Sequence, residues 1–151
     1  MKIRIFLFFF IIIGSIHTNA FMLIRSNFLM SATHYSLALR SNTALLFGTS
    51  SFSVGFFGQY EAPHAYVRDD MYGLSLRAGS NWFVEAGGGP YRKFYDGVGG
   101  SGYGGYFLFG KQLGQLVQVS ILTVSKDISS GSLERRSIIE FYPSIGITWE
   151  I

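Results

Sequence analysis

Cysteine is absent from this chain of 151 residues, so no disulfide supports its fold. Charged residues contribute only 14% of the sequence, whereas soluble domains commonly contain about 25%. After Ala20, no apolar run reaches the roughly 18 residues that a membrane-spanning helix requires. These shortages exclude a disulfide scaffold and a helical membrane protein, and the low charge is unusual for a soluble domain.

Glycine and aromatic residues are abundant instead. The sequence contains 19 glycines, and 17% of its residues are aromatic. This composition suits a β-barrel whose outer face contacts lipid and whose interior must be closely packed.

The segment 137–151 alternates between apolar residues and polar or small residues, from Ile139 to Ile151. A period of two predicts a β-strand with one apolar face. The run is longer than an ordinary globular strand and matches what a tilted strand needs to cross a bilayer. The segment therefore predicts a membrane-spanning strand.

Residues 1–20 have the layout of a secretory signal peptide. Lys2 and Arg4 form a basic start, a short apolar core follows, and small residues precede the expected cut after Ala20. We therefore expect export and a mature domain of residues 21–151. Removal of the two basic residues would lower the net charge from +3 to +1, so nucleic acid is not an expected partner.

Alternation and turn residues together predict eight strands. They cover residues 22–30, 36–47, 52–60, 71–77, 81–88, 103–110, 116–124 and 137–151. Most links between them alternate between short and long, and the long links are 61–70, 89–102 and 126–134. Short turns at one end and long loops at the other are typical of transmembrane barrels. The predicted fold is an all-β, antiparallel, up-and-down, eight-stranded transmembrane β-barrel.

The long links are expected to be outer loops that carry most of the remaining charge. Their basic residues are Arg68, Arg92, Lys93, Lys126, Arg135 and Arg136, and their acids are Glu61, Asp69, Asp70, Asp96, Asp127 and Glu134. Basic groups at this level can pair with lipopolysaccharide phosphates. The equal number of acids supports a mixed, solvated surface at least as well.

Strand parity assigns the two faces of the barrel if Trp149 faces lipid. Trp82 and Trp149 then point outward at the periplasmic ends of their strands, and Tyr60 and Tyr72 point outward at the opposite ends. Amphipathic rings at both interfaces form the aromatic girdles of a membrane barrel.

The same parity directs charged side chains into the barrel. These are Arg25, Arg40, Arg77, Glu85, Glu140 and Glu150, equal in number for each sign. An eight-stranded barrel is just wide enough for side chains to fill its interior. The pattern therefore predicts an ionic network that plugs the barrel instead of a pore.

The chain resembles the small outer-membrane barrels of Gram-negative bacteria. The resemblance rests on the signal peptide, the eight strands, the segment Trp82–Gly89 and the last eight residues, which match a terminal assembly signal with Gly146 and Trp149 but end on Ile151. The group includes the OmpA transmembrane domain, OmpW, opacity-type adhesins and the lipid A deacylase PagL. The resemblance implies an outer-membrane location, contact with outer-membrane lipid and lipopolysaccharide, and assembly by the barrel assembly machinery.

The deacylase in this group uses a serine activated by a histidine. At the matching position this chain has Thr123 and Ser125, so the base is missing. A His-any-Ser triplet does occur at the start of the second strand, with His34 and Ser36 on one face. These two residues are the only catalytic candidates, and a polar pair at the barrel rim is the simpler interpretation.

We expect a structural or surface-interaction role without catalysis, carried out by a monomer. The alternatives are an outer-leaflet lipid A acyl hydrolase using His34 and Ser36, and an OmpW-like conduit for small apolar solutes. No cofactor is predicted. No metal site is predicted either, because His64 lies beside Asp69 and Asp70 without a known ligand spacing.

Overall fold

Alternating side chains and turn residues produce eight strands in the computed structural model, which describes residues 21–29, 39–64, 66–131 and 136–151. The strands are β1 (Phe21–Leu29), β2 (Leu39–Gly48), β3 (Phe52–His64), β4 (Val67–Ala78), β5 (Trp82–Tyr95), β6 (Val98–Leu113), β7 (Val117–Gly131) and β8 (Arg136–Glu150). Within these ranges no helix is long and apolar enough to span a membrane. The expected signal peptide at 1–20 lies outside the described residues.

Each strand pairs antiparallel with the next one, and β1 pairs with β8 to close the barrel. Met22 and Ile151 extend this seam by exchanging two backbone hydrogen bonds of 3.0 and 2.9 Å. Closure gives every strand two hydrogen-bonded neighbours. The predicted eight-stranded, antiparallel, up-and-down barrel is therefore confirmed.

The two ends of the barrel differ. At the end that holds residues 21 and 151, which we call the terminal end, β2–β3, β4–β5 and β6–β7 are joined by short turns. At the opposite end, which we call the hairpin end, β3–β4, β5–β6 and β7–β8 rise as long paired strands.

The prediction of long outer loops is wrong for the described residues. β3 continues to His64 and β4 begins at Val67, while β5 and β6 pair as far as Tyr95 and Val98. Their turn is Asp96-Gly97, with φ of 45° and 81°, as a tight hairpin requires. The strands continue through these segments because the backbone hydrogen bonds of a sheet do not depend on the hydropathy of the side chains. These segments are rich in charged residues and glycine, so they lack the apolar alternation from which the strand ends were predicted.

The outer face of the barrel wall is mainly apolar, whereas the inner face carries both polar and apolar side chains. On β7, Val117, Val119 and Ile121 are exposed, whereas Gln118 and Ser120 are buried. Other side chains of the outer wall are exposed as well: Phe52, Val54, Phe56, Tyr60, Tyr72, Leu74, Leu76, Trp82 and Val84. The large apolar side chains of the wall are therefore mainly on the outside.

Inward-facing glycines make room for large side chains in the interior. At Gly87, an added Cβ would lie 2.5 Å from Cε1 of Tyr106 and 2.8 Å from the carbonyl oxygen of Leu74. The Tyr106 ring packs edge-on against Phe57 with ring centroids 4.7 Å apart. Gly87 therefore leaves space for an aromatic pair that fills the centre of the barrel.

We expect Gly87→Ala to destabilise the barrel by about 1–3 kcal/mol, because the new methyl group overpacks the interior. Denaturant unfolding in detergent would measure the change. Gly58→Ala is the matched control, since Gly58 faces outward with no heavy atom within 4 Å of an added Cβ. Equal stabilities of the two variants would contradict this packing argument.

Candidate functional site

Arg25 and Glu85 form an ion pair across the middle of the barrel. Arg25 lies on β1 and Glu85 lies on β5, halfway round the ring. Arg25 donates from Nε to Oε2 at 2.9 Å and from Nη2 to Oε1 at 2.5 Å, and both side chains are fully buried. Arg25 also donates from Nη1 to the carbonyl oxygen of Asn42 at 2.8 Å and from Nη2 to its Oδ1 at 2.6 Å. The pair ties opposite walls together.

Other groups surround the Glu85 carboxylate. Ser75 donates to Oε1 at 3.1 Å, and the Tyr106 hydroxyl donates to the same oxygen. Nη1 of Arg77 lies 3.6 Å from Oε2. One buried carboxylate thus faces two guanidinium groups and two hydroxyls, the partners that a desolvated charge requires.

Amide side chains extend this network toward the hairpin end. Nδ2 of Asn42 donates to Oε1 of Gln59 at 3.0 Å, and Nε2 of Gln59 donates to Oε1 of Glu61 at 2.6 Å. Glu61 in turn accepts from Lys126 at 2.8 Å. Hydrogen bonds therefore connect the central ion pair with a second charged cluster.

Lys126 is the centre of this second cluster, and its side chain is only 3% exposed. Its Nζ lies 2.8 Å from a Glu61 oxygen, 3.3 Å from an Asp69 oxygen and 2.7 Å from a Glu140 oxygen. The Tyr91 hydroxyl donates to the same Asp69 oxygen at 3.0 Å. The cluster joins β3, β4, β5, β7 and β8.

Toward the terminal end, the network leads into an open mouth. Arg77 donates to Oε1 of Gln118 at 3.1 Å, and Gln118 donates to Oδ1 of Asn27 at 2.7 Å. The Arg77 guanidinium lies 3.7 Å from the centre of the Phe83 ring, a cation–π contact. Beyond it, a cavity of about 420 Å³ is lined by Arg77 and Glu150 among others.

The structure brings together three of the residues predicted for the interior network. Arg25, Arg77 and Glu85 meet at the central ion pair. The backbone of Arg40 lies in β2, but its side chain is outside the described part of the structure.

The two remaining acids of that prediction lie elsewhere. Glu140 contacts Lys126 in the second cluster, with 30% of its side chain exposed. Glu150 is exposed beside the mouth at the terminal end. The interior charges therefore form two connected groups instead of one balanced set.

Glu61, Asp69 and Lys126 correct the assignment of charge to the outer loops. All three were expected in solvated loops, and all three are buried inside the barrel. Continuing the inward–outward alternation beyond the predicted strand ends would have identified them. Glu61 lies two residues after the inward Gln59, and Lys126 lies two residues after the inward Val124. The signal was missed because the strands were ended at their last apolar residue.

The four residues predicted for the girdles are all exposed on the outer wall. Trp82 and Trp149 lie near the terminal end, and Trp82 stacks on Phe109 with ring centroids 5.6 Å apart. Tyr60 and Tyr72 lie on neighbouring strands toward the hairpin end.

The catalytic candidates His34 and Ser36 lie outside the described residues, and so does the side chain of His64. Ser125 is exposed on the outer wall, and Thr123 is half-buried. Over the ranges that the structure covers, no group of three or more histidine, cysteine, aspartate or glutamate residues is arranged to hold a metal ion.

No protein-family model matches this chain, and a comparison with curated proteins finds no significant match.

We expect Glu85→Gln to destabilise the barrel by about 3–5 kcal/mol, because it leaves Arg25 buried without its counter-charge. Denaturant unfolding of the folded protein in detergent would measure the loss. Adding Arg25→Met should restore part of the stability, since the unpaired charge is then removed. Asp70→Asn is the matched control, because it breaks the exposed Arg68–Asp70 pair, and its unfolding midpoint should not change. A Glu85→Gln protein as stable as this control would contradict the assigned role of the ion pair.

Proposed function

We propose that this chain is a small barrel of a bacterial outer membrane with a structural or surface-interaction role and no catalysis. The observation that carries the proposal is the inverted wall, with large apolar side chains outside and a charged network inside. In water, exposed apolar surface on this scale is unfavourable, and monomeric soluble proteins rarely show it. In lipid the same wall is stable, and closure satisfies the backbone hydrogen bonds.

The outward residues also define a band of limited height. On β4, Leu76 and Leu74 are followed by Tyr72 and then by Asp70 and Arg68. On β7 the outward residues change in the same way, from apolar at 117–121 to polar at 125–129. An apolar band bordered by aromatic rings is the pattern of transmembrane barrels, so the hairpin end would lie above the bilayer.

The filled interior supports a closed barrel over a conduit for small solutes. Phe57, Phe83, Leu108 and Leu122 are buried inside together with the ion network. An eight-stranded barrel has room for little more than such side chains. The hairpins that rise above the band carry exposed aromatic residues at Tyr66, Tyr95 and Tyr103, a surface suited to contacts with partners.

We expect the protein in the outer-membrane fraction to migrate differently on a gel when it is boiled, because heat opens the hydrogen-bonded ring. The folded protein should also produce no stable conductance in a planar bilayer. A soluble periplasmic protein without a heat-dependent shift would contradict the membrane assignment. Uptake of small apolar solutes by vesicles that carry the protein would favour the conduit instead.

We expect cells that express the wild type and cells that express His34→Ala to contain lipid A with the same number of acyl chains. Mass spectrometry of extracted lipid A would measure this number. Loss of an acyl chain in the wild type only would establish the hydrolase and would overturn the role without catalysis.

A further inference from the structure

At the hairpin end, charged side chains lie on both faces of the barrel wall, some inside and some outside. Glu61, Asp69 and Glu140 face Lys126 in the interior, and Nζ of Lys93 lies 3.6 Å from Asp69. Of the acids assigned to the outer loops, Glu61 and Asp69 lie inside the barrel, and Lys93 and Lys126 lie beside them. The interior thus takes equal numbers of both signs from these segments, so the charge of each part of the outer wall depends on which remaining residues lie there.

The outer wall of β4 and β5 keeps two arginines and one acid above the apolar band. Arg68, Asp70 and Arg92 face outward, and Asp70 is paired directly with Arg92 in the sheet. Arg68 and Arg92 are therefore diagonal neighbours, with Cβ atoms roughly 7–8 Å apart. Arg68 contacts the Asp70 carboxylate through Nε at 3.1 Å and through Nη2 at 3.0 Å, and 59% of its side chain is still exposed. This part of the wall has a net positive charge.

Two exposed tyrosines hold the arginines at the edge of the band. The Arg68 guanidinium lies 5.4 Å from the centre of the Tyr60 ring, and that of Arg92 lies 6.0 Å from the centre of the Tyr72 ring. Nη2 of Arg92 also donates to the Tyr72 hydroxyl at 3.4 Å. Planar guanidinium groups that are fixed in this way can bind a phosphate with paired hydrogen bonds.

The wall directly below these arginines offers space for acyl chains. Gly58 is paired with Tyr72 and leaves open space on the outer face where a side chain would otherwise lie. Phe56 and Leu74, which are paired with each other, are exposed beneath it. The apolar wall therefore continues directly up to the two arginines.

We propose that Arg68, Arg92, Tyr60 and Tyr72 form a binding site for the phosphorylated head group of a lipopolysaccharide-type glycolipid. The phosphate would bind the exposed guanidinium groups beside Asp70, and an acyl chain would lie along Gly58, Phe56 and Leu74. This inference rests on the proposed outer-membrane location, with the hairpin end on the outside.

The terminal end provides a contrasting site on the same wall. There the exposed Trp82 has a lysine as its cation, with Nζ of Lys111 lying 5.2 Å from the ring centre. A lysine ammonium is a point charge without the paired donors of a guanidinium. Lys111 is therefore a matched control, since it is also a cation stacked on a girdle ring but lies at the other interface.

The test is binding of bisphosphorylated lipid A to the purified, folded protein in nanodiscs of neutral lipid. We expect Arg68→Gln/Arg92→Gln to weaken binding at least about tenfold, because charge-assisted hydrogen bonds to the phosphate are lost. Lys111→Gln should bind like the wild type.

The same glycolipid without its phosphates should bind the wild type as weakly as bisphosphorylated lipid A binds the double variant. Each protein is first checked for the heat-dependent gel shift, which shows that it has folded.

Four results would overturn the proposal: no binding of lipid A by the wild type, equal binding by the double variant, an equal loss in Lys111→Gln, or equal binding of the phosphate-free glycolipid. Inorganic phosphate is the competitor that separates a lipid site from a free-phosphate site. Displacement of lipid A by millimolar phosphate would also overturn the proposal. The location of the protein in the outer membrane is tested separately by fractionation, so a failure of the proposed function can be distinguished from a failure of this site.

Discussion

The rest of the interior depends on the burial of Arg25. A guanidinium without solvent contact is strongly unfavourable unless its donors and its charge are matched. Glu85 and Asn42 supply the acceptors, and Glu85 does so from the opposite wall of the barrel. This match exists only when all eight strands close in one register, because a slip of one residue would turn either side chain outward.

The central pair also determines how the interior is filled. Arg77, Ser75 and Tyr106 complete the surroundings of Glu85, and Gln59 connects the centre with the Lys126 cluster. Tyr106 serves as both a hydroxyl partner and a packed ring, and Gly87 leaves room for it. Polar bonding and close packing therefore constrain the same few side chains. A barrel filled in this way is suited to act through its walls and hairpins.

The alternation of each strand that places charged residues inside the barrel also determines which charges remain on its outer surface. Glu61, Asp69 and Glu140 face Lys126 inside the barrel, whereas Arg68, Asp70 and Arg92 face outward. The wall of β4 and β5 therefore has a net positive charge at the edge of its apolar band. The tyrosines at that edge orient the arginines. Internal charge pairing and recognition of anionic lipid would then be two results of one arrangement of strands.

Much of the fold was predictable from the sequence by itself. Alternation over 137–151 and similar runs, together with the turn residues, indicated the number of strands and which side chains share a face, because a period of two is a local property of the backbone. The tertiary structure alone decided which charges meet. Arg25 and Glu85 are 60 residues apart, and their contact depends on ring closure. Strand length at the hairpin end also depended on pairing between neighbours. Glu61 and Lys126 lie inside because pairing between neighbours extends their strands beyond the apolar alternation. Parity assigns both residues to the interior once that strand length is known.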